Sequence, residues 1–164
     1  QQAGAIAALA QNLVNVEHLI LLGQGIHFPI ALEGALKFKE TCYLHAEGYR
    51  SGEFMHGPIA LLDEKIPVIA IAPPTATDPK ILPAIRKIKA RGSALIGVNA
   101  TQVEGSTAIF DHDVQVPKVD EDLAPLLPVL PLQLLAYHIS KQRGLDVDHP
   151  RGLSKSISVE NSVS

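Results

Sequence analysis

The chain has 164 residues, 46% of them hydrophobic, which is enough for one core of ordinary domain size. Its formal charge of −3, with Lys and Arg scattered and not gathered into a stripe, argues against nucleic acid as a partner. Cys42 is the single cysteine, so no intrachain disulfide is possible and a reducing, cytoplasmic home is expected.

In chain order, residues 2 to 13 are Ala-rich and predict a helix, and H-L-I-L-L-G, His18 to Gly23, predicts a buried strand stopped by glycine. A second helix is expected to start at Pro29, a residue favoured in a first turn. The segment His45 to Pro58, with two histidines, two glutamates and three glycines, reads as an irregular, polar, ligand-facing connection. Two apolar runs, V-I-A-I-A-P and A-L-I-G-V-N, predict strands either side of a helix from Asp78 to Arg91 that stops at Gly92. The short strand D-V-Q-V-P follows, then a long apolar helix ending near Gly144 and a polar tail from Asp146. Leu123 to Ile139, the longest greasy run, contains three prolines, Gln133 and His138 and is short for a bilayer span, so the chain reads as soluble, with no membrane role. It begins at Gln1 and not at Met, which reads as a piece of a longer protein.

Strands alternating with helices predict a parallel sheet covered on both faces. In such sheets ligands sit beyond the carboxyl ends of the strands, where strand order reverses, and the helix from Pro29 should start at that edge. The turn G-Q-G-I-H-F, Gly23 to Phe28, resembles a dinucleotide fingerprint but carries Phe28 where the third glycine belongs, which argues against nicotinamide binding. No spacing matches a zinc site such as H-E-x-x-H, and neither metal nor cofactor is expected.

The stretch E-G-A-L-K-F-K-E, Glu33 to Glu40, invites two readings. At about 100° per residue, Glu33, Lys37 and Glu40 share an arc of roughly 60°, while Ala31, Ala35, Phe38 and Cys42 form an apolar stripe that must face a core. A Glu and a Lys at i and i+4 are most often a surface pair. The alternative is an acid–base set aimed at a substrate. The lone Lys155, in a tail with neither helical period nor apolar content, reads on composition as solvent-exposed.

Three stretches together decide for chemistry. A-L-E-G-A-L-K-F-K-E, then H-A-E-G-Y-R-S-G-E-F-M-H-G-P-I-A-L-L-D, then P-L-Q-L-L-A-Y-H with D-V-D-H-P-R-G-L-S-K-S-I-S-V-E resemble the C-terminal part of the glucosamine-6-phosphate synthase family, the glutamine–fructose-6-phosphate aminotransferases (isomerizing). The likeness runs from about His18 to Glu160. It implies one sugar isomerase (SIS) domain over residues 1–164 with a tail over 146–164, the second of the family's two such domains. The implied fold is a three-layer α/β/α sandwich on a five-stranded parallel sheet in flavodoxin-like order.

The resemblance also implies roles. Glu40 matches the base that moves a proton between C1 and C2 of the open-chain sugar, with Lys37 and Glu33 beside it in the site. His56, in H-G-P, matches the histidine that opens the sugar ring and reaches a site on the neighbouring subunit. Lys155, in S-K-S, matches the tail lysine that contacts the open sugar and is assigned an imine-forming role. Implied partners are the sugar phosphates fructose 6-phosphate and glucosamine 6-phosphate, the first SIS domain and the glutaminase domain of the same enzyme, and a second copy in a homodimer.

The chain departs from the family pattern in places. The Ser- and Thr-rich phosphate loop of the first SIS domain is absent, and the strand-to-helix turn G-Q-G-I-H-F-P lacks hydroxyls. No glutaminase nucleophile opens the chain. Met55 stands where lysine is common, and Asn161 to Ser164 extend past the usual terminal glutamate. Two other readings are weighed: a related aldose–ketose isomerase or amino-sugar-phosphate deaminase, which the same residues fit, and a non-catalytic module that binds sugar phosphate, against which Glu40, His56 and Lys155 argue because binding needs no proton shuttle.

Overall fold

A computed structural model describes residues 2–72, 81–99, 110–117, 119–120 and 122–153. The order is α1 (Gln2–Leu13), β1 (His18–Gly23), α2 (His27–Cys42), β2 (His45–Arg50), α3 (Ser51–Phe54), a 3₁₀ helix (Pro58–Leu61), β3 (Val68–Ala72), α4 (Ile81–Lys89), β4 (Leu95–Asn99), β5 (His112–Gln115) and α5 (Val129–Gln142). The five strands form one sheet in the order β2-β1-β3-β4-β5, and every pairing is parallel. This is the flavodoxin-like arrangement expected. Strand order reverses at β1 and β3, and α2 leaves from the carboxyl end of β1.

Side-chain alternation along β1 builds two cores. Leu19 and Leu21 pack with α1, α2 and α5, through Ile6, Leu9, Ala35, Phe38, Leu132 and Ile139. Ile20 and Leu22 pack on the other face with Phe54 of α3, Leu62, and Ile85 and Ile88 of α4. Ala31, Ala35, Phe38 and Cys42, the predicted stripe of α2, are all buried. Among the described residues no helix is long and apolar enough to cross a membrane.

Two glycines set how closely α2 approaches the sheet. A Cβ on Gly23 would lie 2.2 Å from the His27 carbonyl oxygen, so the β1–α2 turn admits no side chain there. At Gly48 a Cβ would meet the Ala31 carbonyl at 3.0 Å, which lets α2 lie directly over β2.

One expectation is overturned. Residues 45 to 58 are not an irregular connection: His45–Arg50 is the edge strand β2, Ser51–Phe54 is α3 and the 3₁₀ helix starts at Pro58. Only Ala46 of β2 is fully buried, because an edge strand pairs on one side and here has little cover. It therefore lacks the apolar run that announces the inner strands. A smaller difference is the start of α2 at His27, two residues before Pro29; the last helix runs from Val129 to Gln142, after residues 123–128 in turns. Asp78 lies outside the described residues.

Arg143, just past α5, ties distant segments together. Its Nε donates to the Val14 carbonyl at 2.7 Å, Nη1 to the Cys42 carbonyl at 2.8 Å, and Nη2 to the Val16 carbonyl. One guanidinium thus closes the α1–β1 loop against the C-terminus of α2, where a cation also meets the negative end of the helix dipole.

Candidate active site

Glu33, Lys37 and Glu40 lie along one side of α2. Glu40 is about 180° around the helix from the fully buried Ala31, so the three side chains look away from the sheet. Lys37 Nζ donates to Glu40 Oε2 at 2.7 Å and stands 3.6 Å from Glu33 Oε1. The side chains keep 40%, 29% and 26% exposure for Glu33, Lys37 and Glu40, which makes them accessible to a ligand yet partly desolvated. The hydrogen bond to Glu40, with a further contribution from the charge of Glu33, holds the Lys37 amine above the usual lysine range against its partial burial. Lys37 is therefore a fixed cation near neutrality. It can place a carboxylate and balance negative charge developing on a substrate oxygen.

His56 lies in the turn after α3, its backbone N–H bonded to the Glu53 carbonyl at 3.0 Å and its side chain exposed. That turn belongs to the layer opposite α2, because Phe54 and Met55 pack into the second core. A single copy of the chain brings Glu33, Lys37 and Glu40 together but leaves His56 across the sheet from them. Lys155 lies outside the described residues.

His27, in the first turn of α2, was not singled out from the sequence. It is 2% exposed, and among the described residues its Nε2 has no hydrogen-bond partner. Its only advance signal was its place directly after the glycine turn. Desolvation lowers its pKa, so the unfolded chain takes up a proton near pH 6.5 while the folded chain stays neutral to lower pH. Stability from this residue is present above pH 6.5 and is lost as pH falls through the folded value. The slope reaches at most about 1.4 kcal/mol per pH unit. Urea unfolding at pH 7.5 and 5.5 checks it: His27→Gln should lose less stability over that interval than the unsubstituted protein.

The dinucleotide reading gains no support from the turn. Where a third glycine would sit, the Phe28 ring carries the Arg50 guanidinium 5.0 Å from its centroid, tying the first turn of α2 to the end of β2. Among the described residues no group of three or more His, Cys, Asp or Glu side chains is placed to hold a metal ion. A groove of about 400 Å³ opens at the amino-terminal edge of the sheet, lined by Leu13, Val16, His18, Lys65 and His112, away from the three charged residues of α2.

Residues 12–140 match the SIS domain. The chain belongs to the SIS domain family. Its relatives include the glutamine–fructose-6-phosphate aminotransferase (isomerizing) of Synechocystis sp., 53% identical over 160 residues, which are 98% of this chain and 25% of that protein. The corresponding protein of Thermosynechococcus vestitus is 54% identical over 155 residues, covering 94% of this chain and 25% of its own length. Among solved structures, the C-terminal domain of glucosamine-fructose-6-phosphate aminotransferase from Francisella tularensis superposes with a TM-score of 0.84 at 38% identity, covering 90% of this chain and 42% of that one. This SIS domain therefore spans about a quarter of the length of the curated relatives it matches.

Proposed function

We propose that residues 1–164 are the second SIS domain, with its C-terminal tail from 146 to 164, of a cytoplasmic aminotransferase that converts fructose 6-phosphate and an amino group from glutamine to glucosamine 6-phosphate. The observation that carries this reading is identity above 50% along nearly the whole chain to proteins with that name.

In this reading Glu40 takes the proton from one carbon of the open-chain sugar and returns it to the neighbouring one. A rigid helix and a bonded lysine are what a positioned general base needs. Lys37 and Glu33 orient it and the substrate. His56 of the partner subunit works at the anomeric oxygens, which accords with its place across the sheet from Glu40. Lys155 forms an imine with the ketone. The outward aim of the three α2 side chains supports a half-site, completed by the first SIS domain with its hydroxyl-rich phosphate loop, by a glutaminase domain that supplies ammonia, and by a second copy of the chain.

The direct test is the full-length protein with fructose 6-phosphate and glutamine, read by mass spectrometry. Glucosamine 6-phosphate and glutamate should form in equal amounts. Ammonia release from glucosamine 6-phosphate with no glutamine-dependent synthesis would mean a deaminase, and saturable binding without turnover would mean a binding module.

A further inference from the structure

On the face of the sheet opposite α2, four polar side chains stand in a row that the reaction on α2 does not use. His18 and His45 open β1 and β2 and are partners in the parallel ladder. Alternation puts both on the side of Ile20 and Leu22, where Glu47 and Tyr49 follow His45 along β2. The two Nδ1 atoms, of His18 and His45, lie 3.3 Å apart. On the other side of the His45 ring, Nε2 stands 3.7 Å from Glu47 Oε1, and Glu47 Oε2 accepts the Tyr49 hydroxyl. The Tyr49 ring is held in turn against Phe54, 5.4 Å between centroids. Both imidazoles are exposed.

We propose that His18 and His45 form a two-histidine site for a divalent transition-metal cation, zinc, at the amino-terminal edge of the sheet. Two Zn–N bonds of about 2.0–2.1 Å span a 3.3 Å chord at an angle of about 105–110°, the tetrahedral arrangement that zinc takes. A square-planar cation such as copper(II) or nickel(II) asks for a right angle, hence a chord of about 2.9 Å. Magnesium and calcium take oxygen ligands and do not suit two imidazoles. The backbone fixes the spacing, since the ladder pairs the two residues and the His45 N–H bonds to the Glu17 carbonyl at 3.1 Å. The row behind His45 supplies the outer partners of a metal ligand. A metal-binding histidine turns its other ring nitrogen to a carboxylate, which sets the tautomer. Glu47 faces Nε2, and Tyr49 orients Glu47. With its proton on Nε2, His45 offers the Nδ1 lone pair. His18 takes the same tautomer, and the cation replaces the proton that the two Nδ1 atoms otherwise share. Two protein ligands leave the remaining positions to water, so the site is open, unlike a closed four-ligand structural site. The histidines are 27 positions apart, which is why no local spacing announced them.

The plainer reading is a hydrogen-bonded imidazole pair and nothing more. Titration of the chelator-stripped, full-length protein with zinc chloride separates the two. By calorimetry the unsubstituted protein should take up one more zinc per chain, with micromolar affinity, than either His18→Gln or His45→Gln. The double variant should lose no more than each single one. Glu47→Gln should keep the stoichiometry and weaken that binding about 10- to 100-fold. Cobalt(II), used as a coloured probe, should show the absorption bands of a tetrahedral site, and His18→Gln should lack them. Zinc should also raise the urea midpoint of the unsubstituted protein and not that of His18→Gln, because a cation bound by the folded chain alone stabilises it. Both histidines are exposed, so their variants should fold. Unchanged zinc binding in His18→Gln would overturn the site and leave the pair as a hydrogen bond. Loss in only one of the two histidine variants would overturn the chelate, since a single imidazole would then hold the ion.

Discussion

Glu40→Gln in the full-length protein should abolish proton exchange between solvent and C1 or C2 of fructose 6-phosphate while leaving sugar affinity within a few-fold. The amide keeps the shape of the carboxylate and can still accept a bond from Lys37 Nζ, now 2.7 Å from Glu40 Oε2, but it cannot take a proton. Loss of a general base lowers rates by roughly 10² to 10⁴. The change also weakens the largest influence raising the Lys37 pKa, the bond to a charged Glu40, and leaves Glu33 at 3.6 Å as the acidic partner among the described residues. Glu33→Gln should have a smaller effect on exchange, since Glu33 makes the longer contact. Normal exchange in Glu40→Gln would mean that the charged side of α2 is an ordinary solvated helix face.

Arg143→Ala should destabilise the fold by about 3 to 5 kcal/mol, among the largest effects available to a residue outside the core. Three carbonyls, of Val14, Val16 and Cys42, lose charge-assisted donors at once. Such bonds contribute about 1.5 to 3 kcal/mol each and are not additive when one group makes all of them. Urea unfolding would show a lower midpoint at unchanged slope. Arg143→Lys should recover less than half of the loss, because an ammonium on a flexible stem cannot serve three carbonyls in fixed directions. A midpoint unmoved in Arg143→Ala would show that these carbonyls find equivalent partners in water.

Much of this architecture could be read before any coordinates. The three inner runs of Leu, Ile and Val appear as β1, β3 and β4 because burial on both faces demands continuous apolar sequence. The buried stripe of α2 and the shared side of Glu33, Lys37 and Glu40 follow from helical period alone. The edge strand β2 was invisible to that logic: His45, Glu47 and Tyr49 alternate with Ala46, Gly48 and Arg50, and a strand with one neighbour and little cover tolerates such polarity. Misreading it as a loop also hid the layer to which His56 belongs. Nothing local in the sequence joins Arg151 to Tyr43, 108 positions apart, or Arg143 to Val14 at a distance of 129. Those contacts depend on where α5 ends over α2, a property of the assembled layers. Burial of His27 likewise depends on the close β1–α2 turn that Gly23 permits.

Cys42 is the chain's single thiol and sits at 0% exposure between α2 and α5, its sulfur donating to the Ala136 carbonyl at 3.1 Å with the Ser140 hydroxyl at 3.2 Å. A thiol reagent in solution can meet it only when those two helices part. Labelling of the native protein is therefore a clock for that separation. When reclosing outruns the reagent, the rate gives the open fraction directly, and at high reagent it gives the opening rate. The molecule thus carries a native reporter on the underside of the helix bearing Glu40, and any ligand that stiffens α2 should slow that clock without touching the sulfur.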